Sequence, residues 1–135
     1  KFICLARCNG VVVDAHRADE AGGDVETFRK VVVSTAGQSA GCPHENMQQP
    51  LKLLVVSYSR KQFGQTGDGH FSPIGGYHAA SDQVLVLDVA RFKHPPHWVP
   101  LSEMHESMKR IDSETGRSRG FVVISAKATE GAGWL

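Results

Sequence analysis

The stretch GDGHFSPIGGYHAASDQVLVLDVARFKHPPHW, Gly67 to Trp98, constrains the fold more than any other part of the chain. Two runs rich in strand-forming residues, FSPIGGYH and QVLVLDVARF, flank the turn-forming AASD, which is the pattern of a β-hairpin. The second run carries one charge, Asp88, inside LVLDVAR. A carboxylate in a buried strand is costly unless it is paired, and His70 lies at similar depth on the opposite strand. Parity decides whether the two meet. A three- or five-residue connection puts them on one face, a two- or four-residue connection does not, and a single bulge reverses either answer. Gly75 and Gly76 are natural bulge residues. Aligned, His70 and Asp88 are diagonal cross-strand neighbours. Such a pair suits a general base and its orienting acid: the carboxylate fixes the imidazole tautomer through one ring nitrogen and leaves the other for a nucleophile. A structural Asp–His hydrogen bond, or an aspartate capping local backbone, fits the same spacing, so the spacing alone leaves these readings open.

The remaining pattern predicts an α+β fold in one domain. VVVDAH, LKLLVVSYS and RGFVVIS read as strands, the second central because its apolar run is too long for a surface strand. Asp24 is placed to cap a helix whose Val25, Phe28 and Val32 share a face and which gives way near Val33. Ser102 is placed to cap another, with Leu101, Met104, Met108 and Ile111 on its buried face and Gly116 just past its end. Ala36 to Pro50 reads as a long loop.

Composition excludes several function classes. Fifteen Lys and Arg balance fourteen Asp and Glu for a net charge of +1, which gives nucleic acid or an acidic membrane surface nothing to bind. The longest apolar runs, VLVL and LLVV, fall far short of the roughly 20 residues of a membrane-spanning helix. Three cysteines, an odd number without a dense pattern, point to a reducing compartment and a cytoplasmic protein rather than a disulfide scaffold. The chain opens on KFICLARCNG and closes on EGAGWL, which reads as part of a larger protein.

The blocks FGQTGDGHFSPIGGYH, LDVARFKHPPHWVPL and IDSETGRSRGFVVIS resemble the phytochelatin synthases, papain-like glutathione gamma-glutamylcysteinyltransferases, and CLARCNG and TFRKVVVS are similar to the same family upstream. The resemblance implies the C-terminal, β-rich part of a papain-like catalytic domain spanning residues 1–135. It implies that His70 and Asp88 complete a Cys-His-Asp triad. The nucleophilic cysteine of the family stands in a YCG-like block at a helix start; Cys4, Cys8 and Cys42 lack that context, so the nucleophile is expected outside this chain, and the piece alone is expected to be inactive. The partners implied are glutathione and phytochelatin peptides. No organic cofactor is implied, and heavy-metal ions such as Cd²⁺ and Zn²⁺ are expected as activators, bound largely as glutathione thiolates.

Three further residues carry weaker expectations. Arg91, in DVAR, offers a guanidinium fork suited to a glutathione carboxylate, or is an ordinary strand-end arginine. Cys4 and Cys8 form C-x₃-C, soft ligands for Cd²⁺ or Zn²⁺ but only half a tetrahedral site. Two other readings stay open: a cysteine peptidase that passes the acyl group to water, and a non-catalytic metal-binding module built on Cys4, Cys8, Cys42 and nearby histidines.

Overall fold

The computed structural model describes residues 2–37 and 51–126. Within them the chain forms three α-helices, α1 (Phe2–Cys8), α2 (Val25–Thr35) and α3 (Leu101–Lys109), and eight strands. The strands are β1 (Val11–Arg17), β2 (Lys52–Ser59), β3 (Gly69–His78), β4 (Gln83–Val86), β5 (His97–Pro100), β6 (Ile111–Asp112), β7 (Arg117–Ser118) and β8 (Gly120–Ala126). Six of them make one antiparallel sheet in the order β1-β8-β2-β3-β4-β5, and β6 and β7 form a small separate hairpin. The α+β expectation and the central place of LKLLVVSYS hold. The loop expected from Ala36 to Pro50, and Cys42 within it, lie outside the described residues apart from Ala36 and Gly37.

The core lies between the sheet and two helices. Phe28 and Val32 of α2 and Leu101, Met104 and Met108 of α3 are fully buried against Leu54, Val56 and Tyr58 of β2, Val84 and Val86 of β4, and Phe121 of β8. Burying each such side chain contributes about 1.5–3 kcal/mol. Alternation along β2 turns Leu53 to the other face, where it stays half exposed together with Phe71 and Trp98. That face is met by the short α1, whose Phe2 stacks on Phe71 with ring centroids 5.3 Å apart.

Helix starts follow the available donors and acceptors. Asp24 caps α2 as its position predicts, accepting from the backbone N–H groups of Glu26 at 3.1 Å and Thr27 at 3.0 Å, and the helix runs two residues past Val33 to Thr35. Ser102 does not cap α3. The helix begins two residues before that cap would place it, after Pro100, with the Leu101 N–H bonded to the Asp82 carbonyl at 2.9 Å. Ile111, expected on its buried face, falls outside the helix and opens β6, and Gly116, expected just past the helix end, instead turns the β6–β7 hairpin at φ 66° because the helix already stops at Lys109.

The hairpin of β3 and β4 has the geometry that the argument from parity requires. His78 pairs with Gln83, so the connection is the four residues Ala79, Ala80, Ser81 and Asp82, which alone would put His70 and Asp88 on opposite faces. A bulge at Gly75, between the pairs Ile74–Val86 and Gly76–Leu85, reverses that. The turn is held from outside by Arg29 of α2, whose Nη2 donates to Asp82 Oδ2 at 2.8 Å while the Tyr77 hydroxyl donates to Oδ1 at 2.8 Å. A Cβ on Gly75 would stand 2.5 Å from Leu87 Cδ1 and 2.8 Å from its Cγ. Gly75→Ala therefore displaces Leu87, the neighbour of Asp88, and is expected to destabilise the fold by about 1–3 kcal/mol, read as a lower denaturation midpoint.

Candidate active site

Asp88 is not inside a strand. β4 ends at Val86, and after Leu87, whose N–H still donates to the Pro73 carbonyl at 3.0 Å, the chain leaves the sheet. Asp88 is only 1% exposed. An aspartate just past a strand end can bond local backbone as a strand interior could not, and its Oδ1 accepts the Ala90 N–H at 2.8 Å. His70 stands near the start of β3 on the helix-covered face, with its ring edge-on to Tyr58 at 6.0 Å. Its Nε2 is 3.1 Å from Asp88 Oδ1, and Nδ1 makes no hydrogen bond among the described residues.

Two groups join this pair that the sequence did not single out. Arg60 begins the 3-10 helix Arg60–Phe63 directly after β2, and its Nη2 donates to Asp88 Oδ2 at 2.6 Å while lying 2.8 Å from His70 Nε2. The buried Tyr58 hydroxyl is 3.3 Å from Ser72 Oγ and donates to Asp88 Oδ2 at 3.5 Å. Both follow from the β2–β3 register, in which Tyr58 pairs with His70 and the Arg60 N–H meets the Asp68 carbonyl at 2.9 Å. Residues 58, 60, 70 and 72 thus share one face. YSR and GHFS carry this information only once their register is known.

The electrostatics follow from these contacts. Burial by itself would raise the Asp88 carboxyl, but the Ala90 N–H, the Arg60 guanidinium and the charge of His70 outweigh it and hold the carboxyl below the usual range. Burial pushes the His70 imidazole down, the Asp88 carboxylate pulls it up, and the Arg60 cation pushes it down again; the balance is a lowered pKa. The site thus keeps a carboxylate ionised and an imidazole poised to be neutral. Burial raises the Tyr58 phenol, so it serves as a donor.

The other expected residues are elsewhere. Arg91 lies exposed in the turn after Asp88, with no hydrogen bond among the described residues. Cys4 and Cys8 are free, exposed and one helical turn apart on α1. Because Phe2 of that helix stacks on Phe71, and Phe71 and His70 point to opposite faces of β3, α1 meets the face turned away from His70. Among the described residues no group of three or more His, Cys, Asp or Glu is placed to hold a metal ion. No described helix is long and apolar enough to cross a membrane.

A cleft of about 330 Å³ adjoins the segment that carries His70, lined by Phe71, Asp112, Arg117 and Arg119 among others. Arg119 is almost fully buried, donates to the carbonyls of Arg110 and Ile111 at 2.9 and 3.0 Å, and lies 3.4 Å from Asp68 and 3.6 Å from Asp112. Its Nη2 is 3.0 Å from where a Cβ on Gly69 would stand, so a larger residue there would have to push the guanidinium back by a few tenths of an ångström.

The phytochelatin synthase family model matches residues 1–121. The chain belongs to that family. Glutathione gamma-glutamylcysteinyltransferase 3 of Lotus japonicus is 50% identical over 125 residues, 93% of this chain and 23% of that protein. Glutathione gamma-glutamylcysteinyltransferase 1 of Arabidopsis thaliana is 47% identical over 125 residues, again 93% of this chain and 23% of its own length. The glutathione gamma-glutamylcysteinyltransferase of Schizosaccharomyces pombe is 43% identical over 124 residues, 92% of this chain and 27% of that protein. The chain thus spans about a quarter of the length of these phytochelatin synthase relatives.

Proposed function

We propose that residues 1–135 belong to the papain-like catalytic domain of a glutathione gamma-glutamylcysteinyltransferase, with His70 as its acid and base and Asp88 as the group that orients the ring. The observation that carries this reading is the 3.1 Å contact of Asp88 Oδ1 with His70 Nε2, which leaves Nδ1 for a reacting partner. Family membership supplies the reaction class. The partner is a cysteine thiolate from outside these residues; Cys4 and Cys8 stand on a helix against the far face of the sheet.

In this mechanism the thiolate attacks the carbonyl carbon of the Cys–Gly bond in glutathione. As the C–N bond breaks, protonated His70 gives its Nδ1 proton to the departing glycine amine, and a γ-glutamylcysteinyl thioester remains. The α-amine of a second glutathione, or of a growing phytochelatin, then attacks the thioester. Neutral His70 takes the amine proton, the thiolate leaves, and the peptide has grown by one unit. Asp88, held ionised, stabilises the imidazolium that enters the first half and forms again in the second. Heavy-metal ions enter this scheme with the substrate, as glutathione thiolates. The Asp112 and Arg119 side of the cleft suits the α-amine and α-carboxylate of a γ-glutamyl group, since an acid and a guanidinium side by side complement a zwitterion.

The full-length protein given glutathione and Cd²⁺ is expected to release glycine and form (γ-Glu-Cys)ₙ-Gly, followed by mass spectrometry. His70→Ala or Asp88→Ala should lower the rate on the order of 10³-fold or more. Glycine release without oligomers would make the protein a hydrolase on the same scaffold, and neither product would leave the metal-binding reading.

Arg91 extends from the loop that carries Asp88, and we assign it to a glutathione carboxylate. Arg91→Lys should raise KM for glutathione with little change in kcat; unchanged kinetics removes it from the site. Cys4 and Cys8, one turn apart and exposed, supply two thiolates to a soft ion whose other ligands come from outside the helix. Cys4→Ser with Cys8→Ser should weaken Cd²⁺ binding measured by calorimetry, and unaltered binding ends that assignment.

A further inference from the structure

Two nitrogens and one carboxylate form a closed set in this site, and their proton count does not balance. Arg60 Nη2 lies 2.6 Å from Asp88 Oδ2 and 2.8 Å from His70 Nε2, while that same Nε2 lies 3.1 Å from Asp88 Oδ1. A guanidinium donates and never accepts. A contact of 2.8 Å with Nε2 is therefore a hydrogen bond only when Nε2 carries no proton, which puts the ring proton on Nδ1. An Nε2–H that donates to Asp88 would instead face an Arg60 N–H donor to donor. Nε2 can satisfy one neighbour or the other, according to whether it carries the proton, and the two arrangements exclude each other.

The guanidinium is held in a way that permits both. Its Nε is buried with no hydrogen-bond partner among the described residues, so its fixed contacts in the site are those of the single nitrogen Nη2. The side chain is 13% exposed, so both contacts are part-buried. Moving Nη2 away from the ring while keeping Asp88 Oδ2 costs one charge-assisted bond when Nε2 is bare and removes a donor-to-donor contact when Nε2 is protonated.

We propose that Arg60 is a positioning residue that sets the tautomer of His70. While Nη2 donates into Nε2, the ring holds its proton on Nδ1 and cannot accept one there. When the guanidinium withdraws to Asp88 Oδ2 alone, Nε2–H bonds Asp88 Oδ1 and Nδ1 becomes the free base. The ring state that the proposed transfer needs is thus reached through a movement of Arg60 and not by default. The consequence for turnover rests on the function proposed above, whereas the tautomer itself does not.

The groups that face His70 are Tyr58 from β2, Arg60 from the 3-10 helix, Asp88 from the loop after β4, and His94 from the turn that follows. Of these, Asp88 favours the imidazolium, and Arg60 and a protonated His94 oppose it. Removing the Arg60 cation therefore raises the pH at which His70 loses its proton.

Long-range ¹H–¹⁵N spectra of histidine-labelled protein, with the His70 signals assigned by their loss in His70→Asn, read both quantities without any turnover. The wild type above its titration is expected to show a protonated Nδ1 and an unprotonated Nε2. Arg60→Met should move the proton to Nε2 and shift the titration upward, and Arg60→Lys, which keeps the charge, should leave the titration near that of the wild type. A wild-type ring already protonated at Nε2 overturns the proposal with no variant needed, as does an Arg60→Met protein with unchanged tautomer and titration. In glutathione turnover, the acidic limb of the kcat profile should move to higher pH in Arg60→Met. Absence of turnover in the wild type would count against the transferase reading and leave the tautomer result standing.

Discussion

The carboxylate of Asp88 is the interaction on which the rest of the site depends. An ionised aspartate with 1% exposure survives only because the groups around it donate: the Ala90 N–H at Oδ1, Arg60 Nη2 and the Tyr58 hydroxyl at Oδ2, and His70 Nε2 at Oδ1 whenever that nitrogen carries the proton. An unpaired charge at this depth would be protonated or would pull the loop open. These donors come from β2, β3, the 3-10 helix and the loop after β4, so the carboxylate also fixes how those elements meet. A site arranged this way is rigid at Asp88 and adjustable at Arg60, whose Nε has no partner among the described residues.

The fold supplies this environment through an uneven sheet. One face is sealed by α2 and α3, which gives His70 and Asp88 their low-dielectric surroundings and lowers the imidazole pKa. The other face carries Phe71, Leu53 and Trp98 half exposed, with α1 laid against part of it through the Phe2–Phe71 stack. Core and site are therefore the same layer. The side chains that stabilise the domain, Tyr58 above all, also support the chemistry.

Much of this was legible in the residues. The apolar alternation and the turn signals gave the strands, and Asp24 ahead of Val25, Phe28 and Val32 gave α2. Parity makes the meeting of His70 and Asp88 depend on one bulge, and Gly75 provides it. Tertiary contacts decided what the pattern could not. Asp88 looked like a strand residue because apolar residues flank it on both sides in LVLDVA, yet pairing stops at Val86 and the carboxylate is satisfied by the turn that follows. Ser102 had the chemistry of a cap, but the Asp82 carbonyl had already taken the first amide. β5 was hidden by its prolines, which an edge strand tolerates. Arg60 was unreadable for a different reason: its role exists only once β2 and β3 are in register, and no local signal in YSRKQF specifies that register.

The account stands on His70 and Asp88 acting as one unit, and a double-mutant cycle on glutathione turnover tests this most directly. The rates to compare are those of His70→Ala, Asp88→Ala and the protein carrying both. If Asp88 works through His70, the double variant is about as slow as His70→Ala alone, because an orienting carboxylate has nothing left to orient. If the two losses multiply instead, the residues contribute independently, and the pairing at 3.1 Å is a structural contact rather than the centre of the mechanism.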